Sequence, residues 1–243
     1  MQKPQTDISI FNKFNFEKVP IGIKFLLEEP EGMEKLDKEL NLCEMPKEAQ
    51  NRNAAFYVDK SNECCGPGSF PMGWKDVDPA AEFGKIGPVL GIYGEPRANY
   101  QLFLNAPMFN KGIFNYIIFA PITKLTFEPD LLWILANPEQ AEIILRASTY
   151  YSGGTYESKI TAGLACSWLL VYPFKTGKVN YTMTGLGFGM KAKEVYPPGQ
   201  VLVSIPFQKI PEIVQNLQKM TWRLPAYDMG RDKFIEYYTN LDL

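Results

Sequence analysis

Two apolar runs of strand length, residues 115–120 and 131–136, most constrain what this chain can fold into. Each lies between proline-containing breaks, so neither extends into a longer helix, and both read as central strands of a sheet. Asn137-Pro138-Glu139-Gln140 follows the second run and supplies a helix start. Asparagine is the N-cap, proline takes the first helical position, and glutamine sits three residues after the cap, where it can bond back. The spacing predicts a helix to about Tyr151, ending at Gly153-Gly154 where left-handed backbone is accessible.

The remaining pattern fills in around this unit. Ile8, Ile10, Phe11 and Phe14 mark a helical stripe over residues 7–14, and 19–27 reads as a buried strand. Residues 31–40 suit a short surface helix and 55–59 a strand, with Cys43 between elements or opening one. Residues 61–73, centred on Cys64-Cys65-Gly66-Pro67-Gly68, read as a loop because glycine and proline interrupt regular structure. Residues 84–107 are similarly broken and receive no assignment. Periodicity leaves 164–172 as either a buried helix or a strand. Residues 179–183 and 201–205 read as strands, and 211–219 as a helix with Ile213, Val214 and Leu217 on one face. Strands and helices alternate irregularly, which predicts one α+β domain over residues 1–243, with a mixed sheet and flanking helices.

Composition excludes more than it assigns. A formal charge of −2, spread over 25 basic and 27 acidic residues, offers no footprint for nucleic acid or an anionic membrane. The apolar runs are about half the roughly 20 residues of a membrane-spanning helix, and residues 1–7 carry no apolar stretch of signal-peptide type. The expectation is a cytoplasmic protein. The chain has no histidine, which removes the usual proton shuttle near neutral pH and the commonest nitrogen ligand for metals.

Chemistry therefore centres on four cysteines, Cys43, Cys64, Cys65 and Cys166. Thiolates can hold an iron–sulfur cluster, though 20 residues separate Cys43 from Cys64 and 100 separate Cys65 from Cys166. A four-cysteine zinc site has less support because no Cys-x-x-Cys knuckle is present. Cys64-Cys65 could also act as a vicinal redox pair, and an isolated thiol such as Cys166 is otherwise a small buried hydrophobe. Gly185, Gly187 and Gly189 form a Gly-x-Gly-x-Gly run after a strand, open either to a cofactor approached by backbone amides or to a plain strand connection. The run lacks dinucleotide-fingerprint spacing, and no helix is expected at its end. Lys24, within an apolar strand, either alternates to solvent or is buried with a depressed pKa. Aromatic residues, 14% of the chain, are mainly core and otherwise suit a pocket for a small apolar or planar ligand.

Several segments together resemble the family catalogued as domain of unknown function one hundred and sixty-nine, found in methanogenic archaea and other anaerobes. They are Pro20-Ile21-Gly22-Ile23-Lys24-Phe25, Phe127-Glu128-Pro129-Asp130, Asn137-Pro138-Glu139-Gln140, Tyr150-Tyr151-Ser152-Gly153-Gly154, Cys166 and Gly177-Lys178-Val179-Asn180. The resemblance implies cysteines near Cys43, in a Cys-Pro-Gly-Gly loop, at Cys166 and in the later glycine-rich segment. Here the loop reads Cys65-Gly66-Pro67-Gly68 with Cys64 added before it, and the glycine-rich segment has Leu186 instead of a thiol. With that resemblance, the expected function is an iron–sulfur protein of an anaerobe. A [4Fe-4S] cluster would sit on Cys43, Cys65 and Cys166, with Cys64 as a fourth ligand, serving electron transfer or redox chemistry with an unidentified redox partner or small molecule. The alternatives are a non-catalytic binding module and an assembly subunit with inert thiols, either of them compatible with a homo-oligomer.

Overall fold

The computed structural model describes residues 5–241. The start of the segment read above for a signal peptide, residues 1–4, lies outside them. Strand β1 (Ile21–Leu26) is flanked by β3 (Tyr116–Pro121) and β4 (Leu131–Ala136). The sheet is completed by β2 (Phe56–Val58), β5 (Asn180–Met183) and β6 (Val201–Pro206), in the order β2-β3-β1-β4-β6-β5.

Residues alternate faces along a strand, so β4 sends Leu131, Trp133 and Leu135 into one apolar layer and Leu132, Ile134 and Ala136 into another. Helices Pro138–Thr149 and Ile210–Lys219, with the 3-10 turn Ser9–Phe14, cover the second layer. Helix Met45–Arg52 and the helical segment after Cys166 cover the first. Both faces of β4 are thus dry, and a strand buried on both sides loses the polar alternation of a half-exposed one.

The α+β arrangement with flanking helices holds. Every ladder between the named strands is antiparallel. Among the described residues, parallel pairing enters only as two isolated bridges, Lys35 with Tyr57 and Leu40 with Glu63. Those bridges also correct the expected helix at 31–40. The segment runs extended beside β2, where Leu36 N–H donates to Tyr57 O at 2.9 Å and Tyr57 N–H to Glu34 O at 3.0 Å. Buried Asn62 donates to Leu36 O and Lys38 O, satisfying carbonyls that a helix would have paired internally. The helix at Met45–Arg52 was not foreseen, because it buries only Met45, Pro46 and Ala49 in an otherwise polar stretch. Asn137 and Gln140 form the expected capping box. Among the described residues no helix is long and apolar enough to cross a membrane.

Candidate functional site

Cys43 ends a turn in which the Glu44 carboxylate accepts the Asn41 backbone N–H at 3.0 Å. The cysteine side chain is buried. Its carbonyl accepts the Tyr196 hydroxyl at 2.9 Å, and Lys47 Nζ donates to Val195 O at 2.8 Å. These two bonds fasten the Met45–Arg52 helix to the segment that follows Lys193.

Cys166 arrives from the other side of the site. Leu164, two residues before it, is a non-glycine residue at φ 55, a backbone state that stores strain. The chain then makes a π turn over Ser167–Val171, with Tyr172 N–H donating to Ser167 O. In this wider register Trp168 O would look to residue 173, but Pro173 has no N–H. The buried Asn180 side chain takes that carbonyl instead, at 2.6 Å. Cys166 lies beside Cys43, and its thiol holds the Cys43 thiol below its ordinary pKa although burial opposes it. The same contact, then burial, pushes Cys166 well above its ordinary value. Of the two, Cys43 is the more acidic thiol.

Cys65 caps the one-turn helix Gly66–Ser69, which lies inside the expected loop. Its N–H donates to Glu63 Oε1 at 2.6 Å, while the buried Glu63 Oε2 has no partner. Burial raises the Glu63 carboxyl to about 7, against the Cys65 and Leu42 N–H groups and the Lys193 charge, which pull it down. Gly68 packs closely beside it, since a Cβ there would lie 2.9 Å from Glu63 Oε1. Lys193, just after the short helix Phe188–Ala192, donates to Asn41 Oδ1 at 2.7 Å and reaches Cys65 Sγ at 3.4 Å. Partial burial works against its charge, but Cys65 and then Cys43 and Cys166 raise its pKa overall.

Cys43, Cys65, Cys166 and Lys193 line one pocket of about 60 Å³. Gly187 and Gly189 form part of its wall, and a Cβ on Gly187 would press to 3.2 Å from Ala165 Cβ. Gly185 is not in the wall; it turns the chain at φ 94. Exposed Leu186, where the resemblance implies a thiol, is also absent from the lining. A short helix does begin at the end of the glycine run, contrary to expectation, because Gly187 can leave the strand connection close against Ala165.

The expected [4Fe-4S] centre on Cys43, Cys65 and Cys166 with Cys64 is overturned. Among the described residues no group of three or more cysteine, aspartate or glutamate side chains is placed to hold a metal ion. The Cys43, Cys65 and Cys166 side chains share a pocket, Cys64 lies outside it, and the four thiols do not converge. Cys43 and Cys166 face each other, Cys65 faces the Lys193 ammonium, and exposed Cys64 contacts Asn41 Oδ1 at 3.7 Å. A fixed cation beside Cys65 also repels a metal cation. The same finding removes a four-cysteine zinc site. Burial, then the Glu63 and Glu44 charges, raise the Cys64 thiol.

A family model matches residues 9–216, that of DUF169, described as uncharacterised ArCR. The chain belongs to this family. The DUF169 match spans all six strands and every residue of the pocket. The chain is also similar to uncharacterized protein MJ0308 of Methanocaldococcus jannaschii, with 24% identity over 190 residues that cover 78% of this chain and 81% of the relative. No solved structure gives a significant match.

Other residues singled out in the DUF169 segments have structural places. Lys24 Nζ donates to Glu128 O at 2.8 Å and lies 3.7 Å from Asp130 Oδ1. Asp130 in turn accepts the Phe25 N–H at 2.8 Å, so Lys24 braces the Phe127-Glu128-Pro129-Asp130 corner. Phe109 and Phe114 pack edge-on with each other, within the core that covers β1. Glu63, Lys193, Asn41 and Tyr196 were missed as site residues. Glu63 stands next to the cysteine pair and could have been flagged by adjacency. Lys193 is 128 residues from Cys65 and carries no local signal.

Proposed function

We propose that this pocket is a thiol–disulfide exchange centre acting on a small disulfide, in a protein of the reducing cytoplasm where free thiols persist. The observation that supports this reading is the Lys193 ammonium 3.4 Å from Cys65 Sγ, in a pocket that also holds the Cys43 and Cys166 thiols. The Cys65 thiolate attacks one sulfur of the substrate, R–S–S–R. A new S–S bond forms as the old one breaks, and the first R–S⁻ leaves and takes a proton from Lys193 or water. The Cys43 thiolate then attacks Cys65 Sγ, breaking the mixed disulfide and expelling the second R–S⁻. Two protein thiols are oxidised to a disulfide and the substrate is reduced to two thiols, so electrons balance. Cys166 keeps its proton and donates it in a hydrogen bond to Cys43 until the second attack.

The test uses 2-hydroxyethyl disulfide on the reduced full chain, in a Cys64→Ser background that removes the exposed thiol. Peptide mapping by mass spectrometry should show a mixed disulfide at Cys65, resolved into a Cys43–Cys65 bond. Cys43→Ser should trap the adduct, and Lys193→Met should slow its formation about tenfold. If Cys65 reacts no faster than glutathione, or is indifferent to Lys193→Met, the reading fails.

A further inference from the structure

A second cavity lies away from the thiols, across the sheet at β5. It has a volume of about 410 Å³, in the range of small-molecule sites. Its walls differ in chemistry. Lys178 and Lys209 supply two ammonium groups. They sit on turns in direct contact, because a Cβ on Gly177, itself at φ 64, would come within 2.2 Å of Gln208 Nε2. The left-handed backbone at Gly177 favours glycine in this turn.

The acceptors come from the C-terminal end of the Pro138–Thr149 helix and the segment after it. The helix end carries the negative pole of its dipole. The Ser148 and Thr149 hydroxyls donate inward to Leu145 O at 2.7 and 3.4 Å, leaving their oxygens to accept. Glu157 adds a carboxylate to the same lining. Leu145, Val179 and Ile213 supply apolar surface between these groups. Lys209 also lies 3.4 Å from Glu212, an exposed pair that a ligand carboxylate would share.

We infer that this cavity binds a small zwitterion of amino-acid type with an apolar side chain. Its carboxylate pairs with Lys178 and Lys209, its ammonium with Glu157 and the helix-end acceptors, and its side chain lies on Leu145, Val179 and Ile213. A simple anion would leave Glu157 facing like charge, and a simple cation would face two lysines. Only a ligand carrying both charges meets both sets. The inference is independent of the thiol chemistry.

Isothermal titration of the full chain with L-leucine, L-methionine and L-phenylalanine tests it. At least one should bind with a dissociation constant in the range of roughly 10 µM to 1 mM. The amide of that amino acid, which lacks the carboxylate, and its N-acetyl derivative, which lacks the ammonium, should each bind at least about tenfold more weakly. Lys178→Ala and Lys209→Ala should each weaken binding about threefold to tenfold. Glu157→Gln should weaken the free amino acid but not the N-acetyl form. All three substituted side chains are exposed, and unchanged circular dichroism confirms that the variants fold. No binding by any of the three amino acids, or equal binding by the amide or N-acetyl form, overturns the proposal.

Discussion

Glu63 is held neutral more than its sequence position suggests. Its folded-state carboxyl titrates at about 7 against an ordinary value of 4.5, chiefly because burial penalises the charge. The folded chain therefore binds the proton more tightly than the unfolded chain, so this group's contribution is fully present at low pH and is lost as pH rises from about 4.5 to about 7. Glu63→Gln keeps an oxygen to accept the Cys65 N–H but cannot ionise. Urea unfolding should show the variant gaining up to about 3 kcal/mol relative to the parent between pH 5 and pH 8. A difference that does not change with pH would show that Glu63 is not buried as described. None of this was legible from sequence, because desolvation depends on what other segments stack over the carboxylate. The thiols were legible as chemistry but not as partners. Which sulfur meets Lys193 and which meets Cys166 depends on segments far apart in the chain.

At the scale of elements, local pattern did best where one segment carries its whole signal. The capping box at Asn137 and Gln140 is such a case, and Asn137→Ala should cost about 1 kcal/mol by thermal unfolding. The π turn after Cys166 shows the limit. Its register depends on Pro173, which is local, but also on Asn180, which arrives from β5 to take Trp168 O. Periodicity over 164–172 left helix and strand open because the run is apolar almost throughout. Asn180→Ala should cost about 2–4 kcal/mol, because it strands the carbonyls of Trp168 and Lys159. It should also loosen Cys166, read as faster alkylation of that thiol in the folded protein. Asn180→Asp, which retains an acceptor but loses the donor amide, should not rescue either effect. The extended 31–40 segment failed as a helix for a related reason. Its charged residues look like a solvated helical face, but its carbonyls and N–H groups pair with β2 and Asn62.

Across the whole molecule, the sheet separates two apolar layers that share β4 and β6. Ile144→Ala in the layer away from the thiols and Leu169→Ala beside them should each cost about 2–5 kcal/mol. Because both layers pack on the same strands, circular dichroism and thiol accessibility should be lost in one coincident transition for either variant; separate transitions would show that the layers unfold independently. Below that transition, Ile144→Ala should leave the Cys65 reaction rate unchanged, since Ile144 lies across the sheet from the pocket. By itself the sequence determined the strand segments, the capped helix and the absence of any histidine chemistry, because apolar periodicity, capping and residue content are properties of short stretches or of composition. Tertiary structure alone decided the strand order, the pairing of Cys43 with Cys166 and of Cys65 with Lys193, and the ionisation of Glu63. Those depend on distances between segments far apart in the chain and on the water that packing excludes.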